Sequence, residues 1–515
     1  MTEEKPRRDF LKIGSAAVIA GIIAGVGGYY AGGAGAPAVP VTKTVTQTET
    51  ETVTQTATKT VVTQTPTKTP TVTPTVTPEV ITYGVYPNYQ QPPPTTEPTL
   101  IKRAGISMGW PLETDTMFER NWSNYTIDAW TVDIGSLVGA GITGKSYDFD
   151  IYDDHSGLAG LLFDMVGGYK GFDIKNLPRW REENIAPVVW DPPSVLTQDP
   201  LMAEKGYIEP AWVGGREGMH KTAKCLWRFY NSDSVCYNPE FIERPPSEVN
   251  SWAEILNREW KGKASIQDID VIVIAEWAAY LFRSGQIGPP EICVNDPTPT
   301  EINQIIDFLI DHKKAGQFKA FWPDLGFASS LHILREIVIS DAWQPAVYFG
   351  REAGVPHYYG ELDFSEGGYR CWYWGSGVTF REEKLMPSVY FLLDWKLSGE
   401  HQAFQTTLGY TDATYTSRES KEFCGPELYD WSFNGKKTYK PTEEAVPGEM
   451  PALIRNALFL PETYTWSKEE GTPDPEGNLR DGEDIKTRDS KTGTIQVFAT
   501  YGTEITEGWK RFKAS

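Results

Sequence analysis

Two aspartates, Asp268 and Asp270, close the stretch SWAEILNREWKGKASIQDID, Ser251 to Asp270. Carboxylates at such a place either cap the helix that follows or pair with a ligand, and local rules taken alone favour the cap. In open α/β sheets, however, the loops beyond strand carboxyl ends are where ligands bind. Trp110, in the Met108-Gly109-Trp110-Pro111 segment behind a first strand, offers a ring on that same side. More rings stand between Gly367 and Gly375, where Trp372 and Trp374 lie beside glycine. That segment reads as an aromatic loop and contact surface rather than core. The run Asp148, Asp150, Asp153 and Asp154 has carboxylates enough for calcium, but its spacing fits no calcium loop. Tyr358-Tyr359 offers phenolates that could bind iron. The globular part holds no GxSxG, no HExxH and no phosphate-cradling glycine loop, so it reads as a binder, not an enzyme, and calls for no cofactor.

The elements that must position these groups alternate between strand and helix. Ser251 with Glu254 spells a capping box, and Trp252, Ile255 and Leu256 give the short helix behind it an apolar face. A turn at Trp260 to Lys263 leads into a strand at Ala264 to Ile266, then the acidic loop, then a helix over Ala275 to Phe282. Upstream, Leu100 to Ser107 reads as the first strand, and Tyr147 to Tyr152 as another, ending at Asp153 to Gly157 where the helix LAGLLFDMV starts. Leu226 to Tyr237 is strand-like and stops at the Tyr237-Asn238-Pro239 turn. Downstream, Pro299 to Lys314 is an amphipathic helix with Thr300 as its cap, Leu331 to Ser340 reads as helical, and Lys384 to Leu397 and Gly399 to Leu408 as two packed helices.

The 515 residues allow more than one domain, and 13% aromatic content supplies a large core. A formal charge of -21 excludes nucleic acid as a partner, because phosphate binding needs a basic face. Cys225, Cys236, Cys293, Cys371 and Cys424 form no CxxC pair, which argues against structural zinc. At the N-terminus RRDFLK precedes an apolar, glycine-rich run from Ile13 to Gly33, the pattern of a twin-arginine export signal or a retained membrane anchor over residues 1–36. Residues 37–98 are Thr/Pro-rich and too poor in apolar groups to pack, so they read as an extended stalk on the cell surface, tethered to the membrane or freed by signal cleavage.

Three pieces, in order, carry a family resemblance: Tyr237-Asn238 followed by SWAEILNREWKGKASI, the EGG of Glu366 to Gly368 before the aromatic segment, and PSVYFLLDWKLSGEHQAFQTTLGYTDAT. They resemble the type 2 periplasmic solute-binding proteins, and among them the spermidine/putrescine-binding group of ABC importers, at intervals from Tyr147 to Thr414. The resemblance implies an α/β fold of two lobes with a ligand cleft between them: residues 99–234 beginning lobe 1, 235–372 as lobe 2, 373–440 returning to lobe 1, and 441–515 as an extension packed on it. It places Trp110 in the loop after the first strand, Asp154 and His155 after the Tyr147 to Tyr152 strand, Asp268 or Asp270 as the acid of lobe 2, Trp343 opposite, and Trp372 after the EGG turn. Trp374 stands where the group has an acid. The implied partners are a small solute, with a polyamine-like cation favoured, and the permease subunits of an importer. The implied state is a monomer without metal. The alternative from the residues alone is a secreted carbohydrate-binding or carbohydrate-active enzyme on a Thr/Pro linker.

Overall fold

The computed structural model describes residues 93–105, 112–131, 148–155, 168–181, 183–190, 195, 222–223, 225–289, 294–379, 383–407, 409–435, 483–495 and 501–515. The export signal, nearly all of the stalk, Trp110 and the LAGLLFDMV segment lie outside them. Among the described residues no helix is long and apolar enough to cross a membrane.

The chain opens with β1 (Thr99–Gly105), α1 (Leu112–Asn121), β2 (Tyr125–Thr131) and β3 (Ile151–His155). β4 (Cys225–Asp233) follows and runs almost directly into β5 (Cys236–Tyr237). Next come β6 (Ala264–Gln267), α2 (Asp270–Arg283), α3 (Pro299–Lys314), β7 (Phe318–Trp322), α4 (Leu325–Ile333), β8 (Ile339–Ser340), α5 (Pro345–Glu352) and β9 (Tyr358–Tyr359). β10 (Tyr369–Val378), α6 (Met386–Trp395), α7 (Gly399–Thr407), β11 (Thr411–Asp412) and α8 (Arg418–Phe433) follow, and the chain ends in α9 (Ile485–Ser490), β12 (Thr492–Ile495) and α10 (Gly502–Ala514).

Among the described residues these strands form two mixed sheets, and Phe172–Asp173 pairs separately with Thr222–Ala223. The larger has seven strands in the order β11-β4-β10-β3-β1-β2, with β12 added on β10. The smaller has five, in the order β9-β5-β8-β6-β7. The chain passes between the sheets at Ser234–Val235 and again through Gly360 to Gly368, and the two passages touch: Gly360 N–H donates to Val235 O (2.8 Å) and Ser234 Oγ to Gly360 O (2.5 Å). One apolar cluster joins Ile101, Trp227, Tyr373 and Leu392 to Trp322, Val347 and Tyr359, so packing is continuous across the passages. A second gathers Ile266, Trp277, Ile306 and Tyr358 with Tyr369, Trp509 and Phe512.

Local sequence explains most of the elements, but not all. Ser251 does cap the turn that follows, accepting from Ala253 N–H, but the turn is 3-10 (Trp252–Leu256) and Glu254 does not reach back. Its carboxylate is held by both Arg244 nitrogens, at 3.0 and 2.6 Å. The cap of α3 is Thr298, reciprocated by Glu301, rather than Thr300. The helix expected over Leu331 to Ser340 lies earlier, as α4, because Asp324 caps it, and Ile339–Ser340 becomes strand β8.

The largest difference is the expected aromatic loop. Tyr369–Val378 is strand β10, buried at every position and hydrogen-bonded on both sides. A strand covered on both faces has no polar alternation to betray it. Glycines in and just before this strand serve close packing instead. A side chain at Gly377 would overlap the Tyr169 ring, and Gly368, with φ of +66°, meets Lys491 O. The C-terminal extension is likewise not irregular throughout: β12 joins the larger sheet, while α10 packs Ile505, Trp509 and Phe512 against the smaller sheet's helices.

Candidate functional site

The carboxyl ends of β6, β7 and β8 lie together at the junction of the two sheets, and a buried polar seam is built there. Asp341, just past β8, accepts from Gln267 N–H (3.0 Å) and from Trp322 Nε1 (2.8 Å). Glu276 projects from the apolar helix α2, fully buried, within hydrogen-bonding reach of Asp341 and 2.9 Å from Arg370 Nε. Arg370, at the start of β10, also donates to Asp233 at the end of β4. Asp233 takes two further bonds, from Trp372 Nε1 (2.9 Å) and Tyr359 OH (3.3 Å). The seam thus links both passages of the chain to the smaller sheet through Arg370.

Burial dominates its electrostatics. Desolvation, with Asp341 alongside, pushes Glu276 well above the ordinary carboxylate range, Arg370 pulling the other way. Desolvation also pushes Asp341 up to about 7, against the bonds from Gln267 and Trp322. Two adjacent carboxyl groups with raised affinity share a proton rather than both ionise. Asp233 is raised by burial and pulled back by Arg370.

On the larger sheet a second polar group is built around an ion pair. Arg228 donates to Asp153 (2.5 Å) and to Ser376 Oγ (2.7 Å), and Ser376 donates to Asp153 (2.9 Å), all within the sheet's buried face. Arg103 is paired with Asp115, carried in by α1 (3.0 Å). Beside them Phe229, Trp372, Trp374 and Tyr410 form a small aromatic cluster, with Trp374 stacked on Phe229 at 6.0 Å and 7°.

The residues expected from sequence are distributed as follows. Trp372 and Trp374 come together, as buried strand residues 6% and 5% exposed rather than as loop rings. Trp343 is half-buried just beyond Asp341, its ring perpendicular to Trp322 at 5.3 Å. Asp154 and His155 are not in a loop after a strand: they are the last residues of β3, paired with Gly375 and Trp374, and Asp148 to Asp150 precede that strand. Asp268 and Asp270 engage the C-terminal helix rather than the seam. Asp268 accepts from Trp509 Nε1 (2.7 Å) and pairs with Lys513 (3.2 Å), and Asp270 accepts from Thr506 Oγ1 (2.8 Å). Tyr358 and Tyr359 are buried in β9, and burial beside Asp233 raises Tyr359 well above its usual range, which opposes the phenolate that iron needs. Among the described residues no group of three His, Cys, Asp or Glu could hold a metal.

Sequence reasoning missed Asp233, Glu276, Asp341 and Arg370. Glu276 did leave a signal: it is the one acid inside the run Val271 to Phe282, where a buried charge demands a partner.

The fold defines the class. The mixed α/β arrangement of two sheets joined by adjacent passages is that of the type 2 periplasmic binding proteins. The spermidine/putrescine ABC transporter substrate-binding protein PotD of Streptococcus pneumoniae, solved with calcium and HEPES, superposes with a TM-score of 0.51 at 13% identity, over 81% of this chain and 99% of that one. The TpPotD lipoprotein of Treponema pallidum gives a TM-score of 0.50 at 11% identity, over 80% and 99%. No family model matches the sequence, and no curated protein matches it. At such identities the likeness is one of fold.

Proposed function

We infer that this protein is the solute-binding component of an ABC importer, a receptor rather than an enzyme. Its twin-arginine-type N-terminus exports it, the Thr/Pro stalk holds it outside the cell, and two lobes close on a small solute that is handed to permease subunits. The observation that carries this reading is the junction: two touching passages of chain between two sheets, with strand carboxyl ends and indole rings gathered beside them. Paired passages of this kind supply a hinge, and hinge closure around a ligand is how two-lobed receptors work.

A polyamine-like cation is the solute that the sequence resemblance favours. Rings would flank its methylenes and carboxylates would meet its ammonium groups. The described acids of the junction are already engaged, Asp233 and Glu276 by Arg370, Asp153 by Arg228, and Asp341 by Gln267 N–H and Trp322 Nε1. A polyamine would have to displace one of those partners.

A thermal-shift panel on the purified full-length chain tests the reading. A solute at a hundred times its Kd adds about 2.7 kcal/mol to stability. If no small solute raises the melting temperature while oligosaccharides are hydrolysed, the protein is an enzyme and not a receptor.

A further inference from the structure

Several buried polar atoms at the junction lack a hydrogen bond; of these, Glu276 and Arg370 still have each other as an ion pair, whereas uncharged amides have no such alternative. Two carboxamides, one on each sheet, are fully buried with neither their nitrogen nor their oxygen hydrogen-bonded: Asn231 on β4 and Gln267 at the carboxyl end of β6. A buried amide in that condition is costly, and native proteins reserve it for a missing water, ion or ligand. Their placement is not random. Asn231 is opposite Trp372 in the ladder, on the face that carries Asp233 and Arg370. Gln267 is opposite Trp322, whose indole meets Asp341, and paired residues of a ladder project to the same face. Its backbone N–H already holds Asp341. Between them runs the continuous path Trp372, Asp233, Arg370, Glu276, Asp341. A third unmet donor, the buried Nε1 of Trp343, stands beside Trp322.

The chemistry of this unmet set differs from that of the acids around it. A carboxamide offers one acceptor and two donors without charge, which matches hydroxyl groups that both give and take a proton. Indole faces suit the C–H faces of a sugar or polyol as well as they suit methylenes. The acids Asp153, Asp233 and Glu276, by contrast, each have an arginine within ion-pair distance, Arg228 for the first and Arg370 for the other two.

We propose that the solute is neutral and rich in hydroxyl groups, a sugar or a polyol, gripped across the junction by Asn231 from one sheet and Gln267 with Trp343 from the other. This rests on the receptor reading and narrows its ligand. Specificity arises because a solute lacking hydroxyls leaves two buried amides unmet, a penalty larger than the gain of any single contact.

The test pairs a ligand panel with a substitution whose two readouts move in opposite directions. The full-length chain is titrated with glucose, maltose, mannitol, myo-inositol, putrescine and spermidine, followed by thermal shift and calorimetry. One of the first four is expected to bind, glucose and maltose separating a sugar site from a polyol site. Gln267→Met and Asn231→Leu replace an unmet amide by an apolar group of similar volume. Each is expected to weaken that binding about tenfold or more while leaving the empty protein as stable or raising its melting temperature. A merely structural glutamine gives the reverse, a lower melting temperature with unchanged affinity, and that result overturns the proposal. Binding of putrescine or spermidine alone also overturns it while the receptor reading stands. Silence of all six solutes overturns the proposal as well, while the receptor reading falls only if oligosaccharides are hydrolysed.

Discussion

Two groups of acids, separated by a few residues of one segment, behave in opposite ways. Asp268 and Asp270 stand where α2 begins, partly exposed, and spend their oxygens on the C-terminal helix through Trp509, Lys513 and Thr506. Glu276 is less than two turns further along the same helix and has no exposure at all; it meets Asp341 and Arg370. Residue type is the same in both groups. What differs is water: a solvated carboxylate needs no counter-charge, whereas a buried one must be paired or protonated. The rim acids are therefore replaceable fasteners and the seam acids are mutually dependent.

The most severe way to break that contrast is Arg370→Met. It leaves Asp233 and Glu276 buried without their cation, and the expected loss is about 3 to 5 kcal/mol in urea unfolding. A loss below about 1 kcal/mol would show that the seam does not depend on its arginine. Trp372→Ala comes next. Because the ring is buried in β10 and its Nε1 holds Asp233, the substitution is expected to cost about 3 kcal/mol of stability in addition to any effect on binding. Had Trp372 stood in an exposed loop, stability would barely change.

The pH dependence sharpens the same comparison. Asp341 is raised in the folded state to about 7 from 3.8. A raised carboxyl favours the folded state when protonated, so its contribution is complete below about pH 4 and is lost as pH rises through about 7. The expected slope is a fall of up to about 1.4 kcal/mol per pH unit across that window, read from urea midpoints at several pH values. Asp341→Asn should flatten it, and Asp268→Asn should not. The smallest effect belongs to Asp268→Asn itself: losing the ion pair with Lys513 while keeping an acceptor for Trp509 should cost no more than about 1 kcal/mol.

Much of the fold was legible in the sequence. The β6 strand, the helix after it, the span of α3 and the two helices α6 and α7 follow from apolar spacing. The α/β class follows from their alternation. Capping chemistry was readable but ambiguous by a position or two, since Thr298 and Thr300 both precede the same apolar stripe. Strand β10 was not legible. A strand buried on both faces has no period of two, and its glycines imitate loop punctuation unless one knows that Tyr169 and Lys491 press against them. The site was legible only in part: Trp343, Trp372 and Trp374 are at the junction or beside it, while Asp233, Arg370, Asp341 and the amides Asn231 and Gln267 gave no sequence signal.

What the sequence by itself determined is thus the periodic and the compositional: an acidic chain with a Thr/Pro-rich segment over residues 37–98 and a globular part of alternating strands and helices. Those features depend on neighbours within a few residues, which the chain order supplies directly. Tertiary structure alone decided which acids are solvated and which are sealed, because burial is set by contacts between residues as distant as Asp233 and Arg370 or Asp268 and Trp509. Protonation, compensation and unmet hydrogen bonds all follow from burial, and so the character of the site was fixed only when the two sheets met.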